Sequence, residues 1–77
     1  MMVISLKMKD DEGKLRKAYV RSINMDEGVL EFTFDVGKAA IDSAWDMEMT
    51  LDWFKFHYIK EYPELSSAVI EEPLYVY

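Results

Sequence analysis

Residues 46 to 62, DMEMTLDWFKFHYIKEY, have the spacing of an amphipathic helix, yet they carry apolar side chains on two opposite faces. At about 100° per residue, Met47, Leu51, Phe54, Tyr58 and Tyr62 fall in one narrow stripe. Met49, Trp53 and Phe56 gather nearly opposite, and Trp45 joins them if the helix begins before it. A helix laid across a sheet buries only one face. The second must find another core wall, a twin subunit or a foreign protein, because large aromatics left wet forgo about 1.5 to 3 kcal/mol each.

The start of this helix has three competing N-caps, Asp42, Ser43 and Asp46, each able to accept from the first unpaired backbone N–H groups. Its end is set by Pro63, which disfavours helical backbone at Tyr62, so the helix is expected to stop there. Ahead of it, residues 2 to 9 alternate Met2, Ile4, Leu6 and Met8 against Val3, Ser5, Lys7 and Lys9, the period of a half-buried strand. Asp10 to Gly13 make a hairpin turn, with Gly13 able to take positive φ. Residues 14 to 24 also match a helical spacing, through Leu15, Ala18, Tyr19, Ser22 and Ile23, but the preceding turn favours a returning strand. After a turn at 24 to 28, Leu30, Phe32, Phe34 and Val36 alternate with Glu31, Thr33 and Asp35 in a third strand, 29 to 36. Residues 67 to 72 supply a short fourth strand, at an edge because Pro73 follows; Leu74 to Tyr77 extend it, dock elsewhere or fray. The expected fold is α+β in the order β-β-β-α-β: a small antiparallel sheet with one main helix packed across it, a single domain over 1–77.

A domain of 77 residues without cysteine has neither disulfides nor thiolate metal sites to support it, so its 51% hydrophobic content must supply the core. No apolar run is long enough to span a membrane, and Ser5, Lys7 and Lys9 interrupt what a signal peptide would need. The expectation is a soluble cytoplasmic protein with no membrane partner. The net charge of −6 is unevenly spread, with +3 over residues 1 to 23 and −9 over 24 to 77. Such polarity steers a basic partner toward the acidic part, or one copy of the chain toward another.

Few groups suited to catalysis are present. His57 and Glu61, at i and i+4, offer two metal ligands, which is too few for a site, so His57 reads as a surface histidine. Gly13, Gly28 and Gly37 stand singly, without a phosphate-cradling motif, and no serine has an elbow or a base beside it. No enzyme activity, cofactor or metal is expected. Lys14, Arg16, Lys17, Tyr19 and Arg21 interleave cations with an aromatic, but the acidic remainder of the chain opposes direct nucleic-acid binding. Asp35, Asp42, Asp46, Glu48 and Asp52 instead present carboxylates where a basic channel would meet phosphates.

Leu30 to Asp35 (LEFTFD), Lys38-Ala39, a helix closing on Tyr62-Pro63-Glu64-Leu65, and Val69 to Glu72 together resemble small acidic accessory proteins of phages and prophages of Gram-positive bacteria. The resemblance spans residues 29 to 73. It implies a hairpin, a helix and a return strand, a bacterial host cell, and a role in blocking host defences, CRISPR nucleases among them. This chain departs from the pattern where Met49, Trp53 and Phe56 replace a Glu/Lys-rich outer helix face. The expected partner-binding residues are therefore Trp45, Met49, Trp53 and Phe56 with Asp46, Glu48 and Asp52, set against a basic nucleic-acid-binding host protein. The rival expectation is a homo-oligomeric module, a homodimer in its simplest form, with no inhibitory role.

Overall fold

The computed structural model of the chain describes residues 1–24 and 29–73, with side chains at 1–21 and 30–73. The expected turn at 24 to 28 lies largely outside the described residues, and Leu74 to Tyr77 lie wholly outside them. The fold is α+β. Strands β1 (Val3–Lys9), β2 (Leu15–Asn24), β3 (Val29–Thr33) and β4 (Val69–Glu71) form one antiparallel sheet in the order β3-β2-β1-β4, and helix α1 (Ala44–Tyr58) packs on one face.

The β1–β2 hairpin is locked by Asp10, whose carboxylate accepts from the N–H groups of Glu12 at 2.9 Å and Lys14 at 3.0 Å. Gly13 closes the turn at φ 79°, a conformation that an L side chain resists. Pairing then runs from Lys9 opposite Leu15 to Ser5 opposite Tyr19. This settles the ambiguity of residues 14 to 24 in favour of a strand, because β2 has a ladder on both sides and a helix would abandon both. Ile4 and Leu6 of β1 and Ala18 and Val20 of β2 face α1 and are buried, while Lys7, Lys9, Leu15, Lys17 and Tyr19 occupy the open face; Val3 and Ser5 lie on that second face but are buried too, so the expected half-burial of β1 holds only toward its end.

The third strand ends at Thr33 rather than Val36. Thr33 Oγ1 accepts from the Asp35 N–H at 3.0 Å, and Asp35 Oδ1 accepts from the Gly37 N–H at 2.9 Å. These local bonds compete with the ladder and wind Val36–Lys38 into a turn of 3-10 helix. Phe34, which the alternation groups with Leu30 and Phe32, is partly exposed beneath the Arg16 guanidinium, 4.7 Å from its ring centre. The chain then crosses the end of the sheet, where Ala40 N–H donates to Val20 O at 2.9 Å and Met2 and Asp42 exchange backbone hydrogen bonds at 2.7 and 3.1 Å.

Ser43 wins the competition to cap α1: its hydroxyl accepts from the Asp46 N–H at 3.2 Å and donates to the Asp46 carboxylate at 2.9 Å. The helix thus starts at Ala44 and includes Trp45. It ends at Tyr58, four residues short of the expected Tyr62, because the Tyr58 carbonyl takes both the Glu61 and the Tyr62 N–H groups in a closing turn. Pro63 instead opens a 3-10 segment, Pro63–Ser67, which leads into β4. Met47, Leu51, Phe54 and Tyr58 bury the inner face of α1 against Ile4, Leu6, Val20, Leu30 and Leu65. Tyr62, beyond the helix, is half-buried and packs edge-on against Phe32 at 5.4 Å.

Candidate partner-binding face

The outward side of α1 leaves Trp45 69%, Met49 55% and Phe56 82% exposed. Starting at Trp45, they recur at i, i+4 and i+11, which places them within about 40° of one another around the helix axis. Asp52, at i+7, sets a carboxylate about 20° to one side of this line, next to Trp45. A line of exposed large apolar side chains on a surface helix of a small protein is uncommon and makes a candidate contact surface.

Trp53 does not belong to this strip. Its indole lies at 5.9 Å from Phe54 and 5.5 Å from Tyr58, edge to face, and it is half-buried against the core. The reason is angular: Trp53 projects between the outward line and the buried line, and a ring of this size reaches the buried one. The exposed His57 covers it at 4.4 Å and also meets Phe56 at 5.0 Å. His57 therefore belongs to an aromatic surface cluster, and among the described residues no group of three or more metal-ligating side chains comes together.

The carboxylates divide into two groups. Asp35, Asp42 and Asp46 are spent locally, on Gly37, on the Ser43 N–H at 2.8 Å and on the Ser43 hydroxyl respectively. Glu48 and Asp52 are exposed, one helical turn apart, and border the Trp45–Met49–Phe56 strip on one side while Asp46 borders it on the other. The seven expected residues thus resolve into three apolar contacts, two open carboxylates, one capping carboxylate and one tryptophan that supports the cluster from within.

Beside Glu48 and Asp52 lies a groove that the sequence does not reveal, of about 370 Å³, lined by Glu48, Leu51 and Asp52 of α1 and by Ala68, Val69 and Ile70 at β4. It lies where α1 runs alongside β4 at the edge of the sheet. The only sequence signal was the placing of strand four at an edge.

The basic residues of the hairpin do not form one patch. Strand alternation turns Arg16 toward the helix side, where it faces Asp10 at 3.9 Å and Phe34, and sends Lys17 to the open face. Lys17 there is paired with Glu71, and this hydrogen bond raises its pKa above the usual lysine value against a smaller lowering from burial. Lys7 lies directly across from Lys17. Among the described residues no helix is long and apolar enough to cross a membrane. Neither a family model, nor a curated protein, nor a solved structure matches the chain.

Proposed function

We propose that this protein is a non-catalytic binding protein of phage type that inhibits a basic, nucleic-acid-acting host protein, a CRISPR nuclease being the most concrete case. The observation that carries this reading is the exposed Trp45–Met49–Phe56 strip with open carboxylates at Glu48 and Asp52 along its border. Buried aromatic anchors beside steering charge are what a protein-binding hot spot requires. Carboxylates presented to a basic channel compete there with phosphate, so that occlusion is enough to inhibit.

Burying what the three apolar side chains still expose is worth about 3 to 6 kcal/mol, which reaches only the low end of the roughly 4 to 15 kcal/mol that association costs. The strip alone does not make a tight complex. Steering by Glu48 and Asp52 and further contacts must supply the rest.

The test is capture from a Gram-positive host lysate with the wild-type protein, with Trp45→Ser/Phe56→Ser and with Glu48→Lys/Asp52→Lys, followed by assay of the captured protein's action on nucleic acid. Asp46 is left unchanged because it caps the helix with Ser43. The reading expects a nucleic-acid-acting protein to be captured, its activity to fall when the wild type is added, both double variants to lose capture, and salt to weaken it. Capture that survives both double variants, or a captured protein whose activity is unaffected, would falsify it. Changes confined to the oligomeric state of the protein itself would support the homo-oligomeric rival.

A further inference from the structure

We infer that the groove between α1 and β4 takes an extended, lysine- or arginine-bearing segment of the partner, which adds to the sheet as a fifth strand along β4. The inference deepens the proposed function and rests on it, in that it names which part of a basic partner enters the protein and by what chemistry.

Three features of the groove point to this occupant. First, one wall is a strand edge: β4 pairs with β1 on one side and ends the sheet on the other. Lys7 turns its N–H toward this side of β1, onto Ser67 Oγ at 3.2 Å. By alternation Ser5 and Val3 turn the same way, onto Val69 and Glu71. Ile70 between them therefore directs its N–H and C=O outward, toward the groove, and among the described residues no turn, loop or cap bond takes them. Strand edges with unspent backbone groups are where extended peptides add. The edge is short and carries Glu71, but Val69–Glu71 contains no lysine, no proline and no bulge to turn an added strand away.

Second, the floor is apolar, with Leu51 and Ala68 buried and Ile70 half-buried, so the aliphatic stems of lysine or arginine side chains directed toward α1 lie against carbon while their charged heads reach outward. Third, the opposite wall carries Glu48 and Asp52, with no cation among the groove's described lining residues. Their backbone positions are about 6 Å apart along the helix, four residues at about 1.5 Å each. Alternate residues on one face of a strand are separated by about 6.6 Å. A segment with cationic residues at i and i+2 therefore matches both carboxylates at once, and its backbone is free to pair with Ile70.

The probe is an acetylated and amidated seven-residue peptide of alternating lysine and valine, followed through the backbone amide signals of the isotopically labelled protein. Binding is expected to shift the amides of Glu48, Leu51, Asp52 and Ala68 to Ile70 and to slow hydrogen exchange at Ile70. The same peptide with alternate amides N-methylated should bind at least about tenfold more weakly, as should the original peptide to Glu48→Gln/Asp52→Asn, about 1.4 kcal/mol in either case. Both substitutions are at exposed positions, and an unchanged amide spectrum elsewhere verifies the fold. Equal binding of the N-methylated peptide, shifts confined to Trp45, Met49 and Phe56, or no shift at millimolar peptide would each overturn the inference. So would protection of Ile70 that grows with protein concentration alone, which would make the occupant a second copy pairing edge to edge. Loss of lysate capture in the Trp45→Ser/Phe56→Ser variant together with a silent groove would leave the proposed function standing and remove only the inference. Peptide binding in the groove with capture indifferent to that variant would do the reverse.

Discussion

Phe54 and Phe56 stand two residues apart on α1, and replacing each by alanine separates the inner face from the outer one. Phe54 is 1% exposed within the core cluster, whereas Phe56 is 82% exposed. Truncating a buried phenylalanine costs about 3 to 5 kcal/mol, from lost transfer energy and the cavity left behind. For 77 residues, at about 0.05 to 0.15 kcal/mol each, total stability is about 4 to 12 kcal/mol. Phe54→Ala therefore removes between a quarter and all of it. With a urea slope of about 1 kcal/mol/M, the lower end of the range and apt for a small domain, the midpoint should fall by about 3 M or more, or the folded baseline should vanish. Phe56→Ala should stay within about 0.5 kcal/mol of the wild type, a midpoint shift of no more than about 0.5 M. Urea titration by circular dichroism reads both. A Phe56→Ala variant destabilised as much as Phe54→Ala would mean that the outer side chain is part of a fold-dependent interface, and the assignment of the strip to a partner would be lost.

Ser43→Ala removes the cap on α1 and should cost about 0.5 to 2 kcal/mol, read by the same titration. Gly13→Ala should cost about 1 to 2 kcal/mol for holding an L residue at positive φ; nothing lies within 4 Å of an added Cβ, so the cost is one of backbone alone. Glu71→Gln should return the Lys17 pKa toward its ordinary value, measurable by side-chain NMR. Because the folded-state pKa of Lys17 is raised, the pair's contribution is fully present below the unfolded value of 10.5 and is lost as pH rises through the folded one. For a partly exposed pair that contribution is about 0 to 1 kcal/mol, so thermal midpoints of the wild type and Glu71→Gln should converge at strongly alkaline pH.

Much of the fold is legible in local pattern. The alternation of Ile4, Leu6 and Met8 with Ser5, Lys7 and Lys9 is β1, and the Asp10–Gly13 turn announces its partner. Where pattern was double-valued, tertiary structure decided. Residues 15 to 24 are a strand because β1 and β3 lie on either side, not because their spacing excluded a helix. The early end of β3 turns on two side-chain acceptors, Thr33 Oγ1 and Asp35 Oδ1, whose bonds are worth more locally than further ladder pairs to an edge strand. At the candidate site, helical angle placed Trp45, Met49 and Phe56 outside but misplaced Trp53, since a wheel gives the direction of a Cβ and not the reach of an indole. The groove was beyond sequence reasoning altogether, because it depends on β4 joining β1 across more than sixty residues and on where α1 comes to lie beside that edge.

The distribution of charge on the folded chain weighs between a foreign partner and a second copy. Self-assembly, the rival expectation, would set the acid-bordered strip of one molecule against the basic sheet face of another, drawn by the +3 of residues 1 to 23. Folding disperses this charge. Arg16 is turned to the helix side against Asp10, and Lys17 is paired with Glu71, which leaves exposed, solvated cations, Lys7 and Lys9 of β1 and Arg21 of β2, to meet Glu48 and Asp52 in any self-association. A contact resting on exposed cations in water gains about 0 to 1 kcal/mol per pair. Two carboxylates and three apolar side chains are better matched by a channel already dense in lysine and arginine, where each cation lacks an internal partner and the local potential adds to every pair. If the proposed function holds, a basic nucleic-acid-binding protein should outcompete a second copy for the same face, and self-association, read by analytical ultracentrifugation, should be weak at the concentrations where capture is complete.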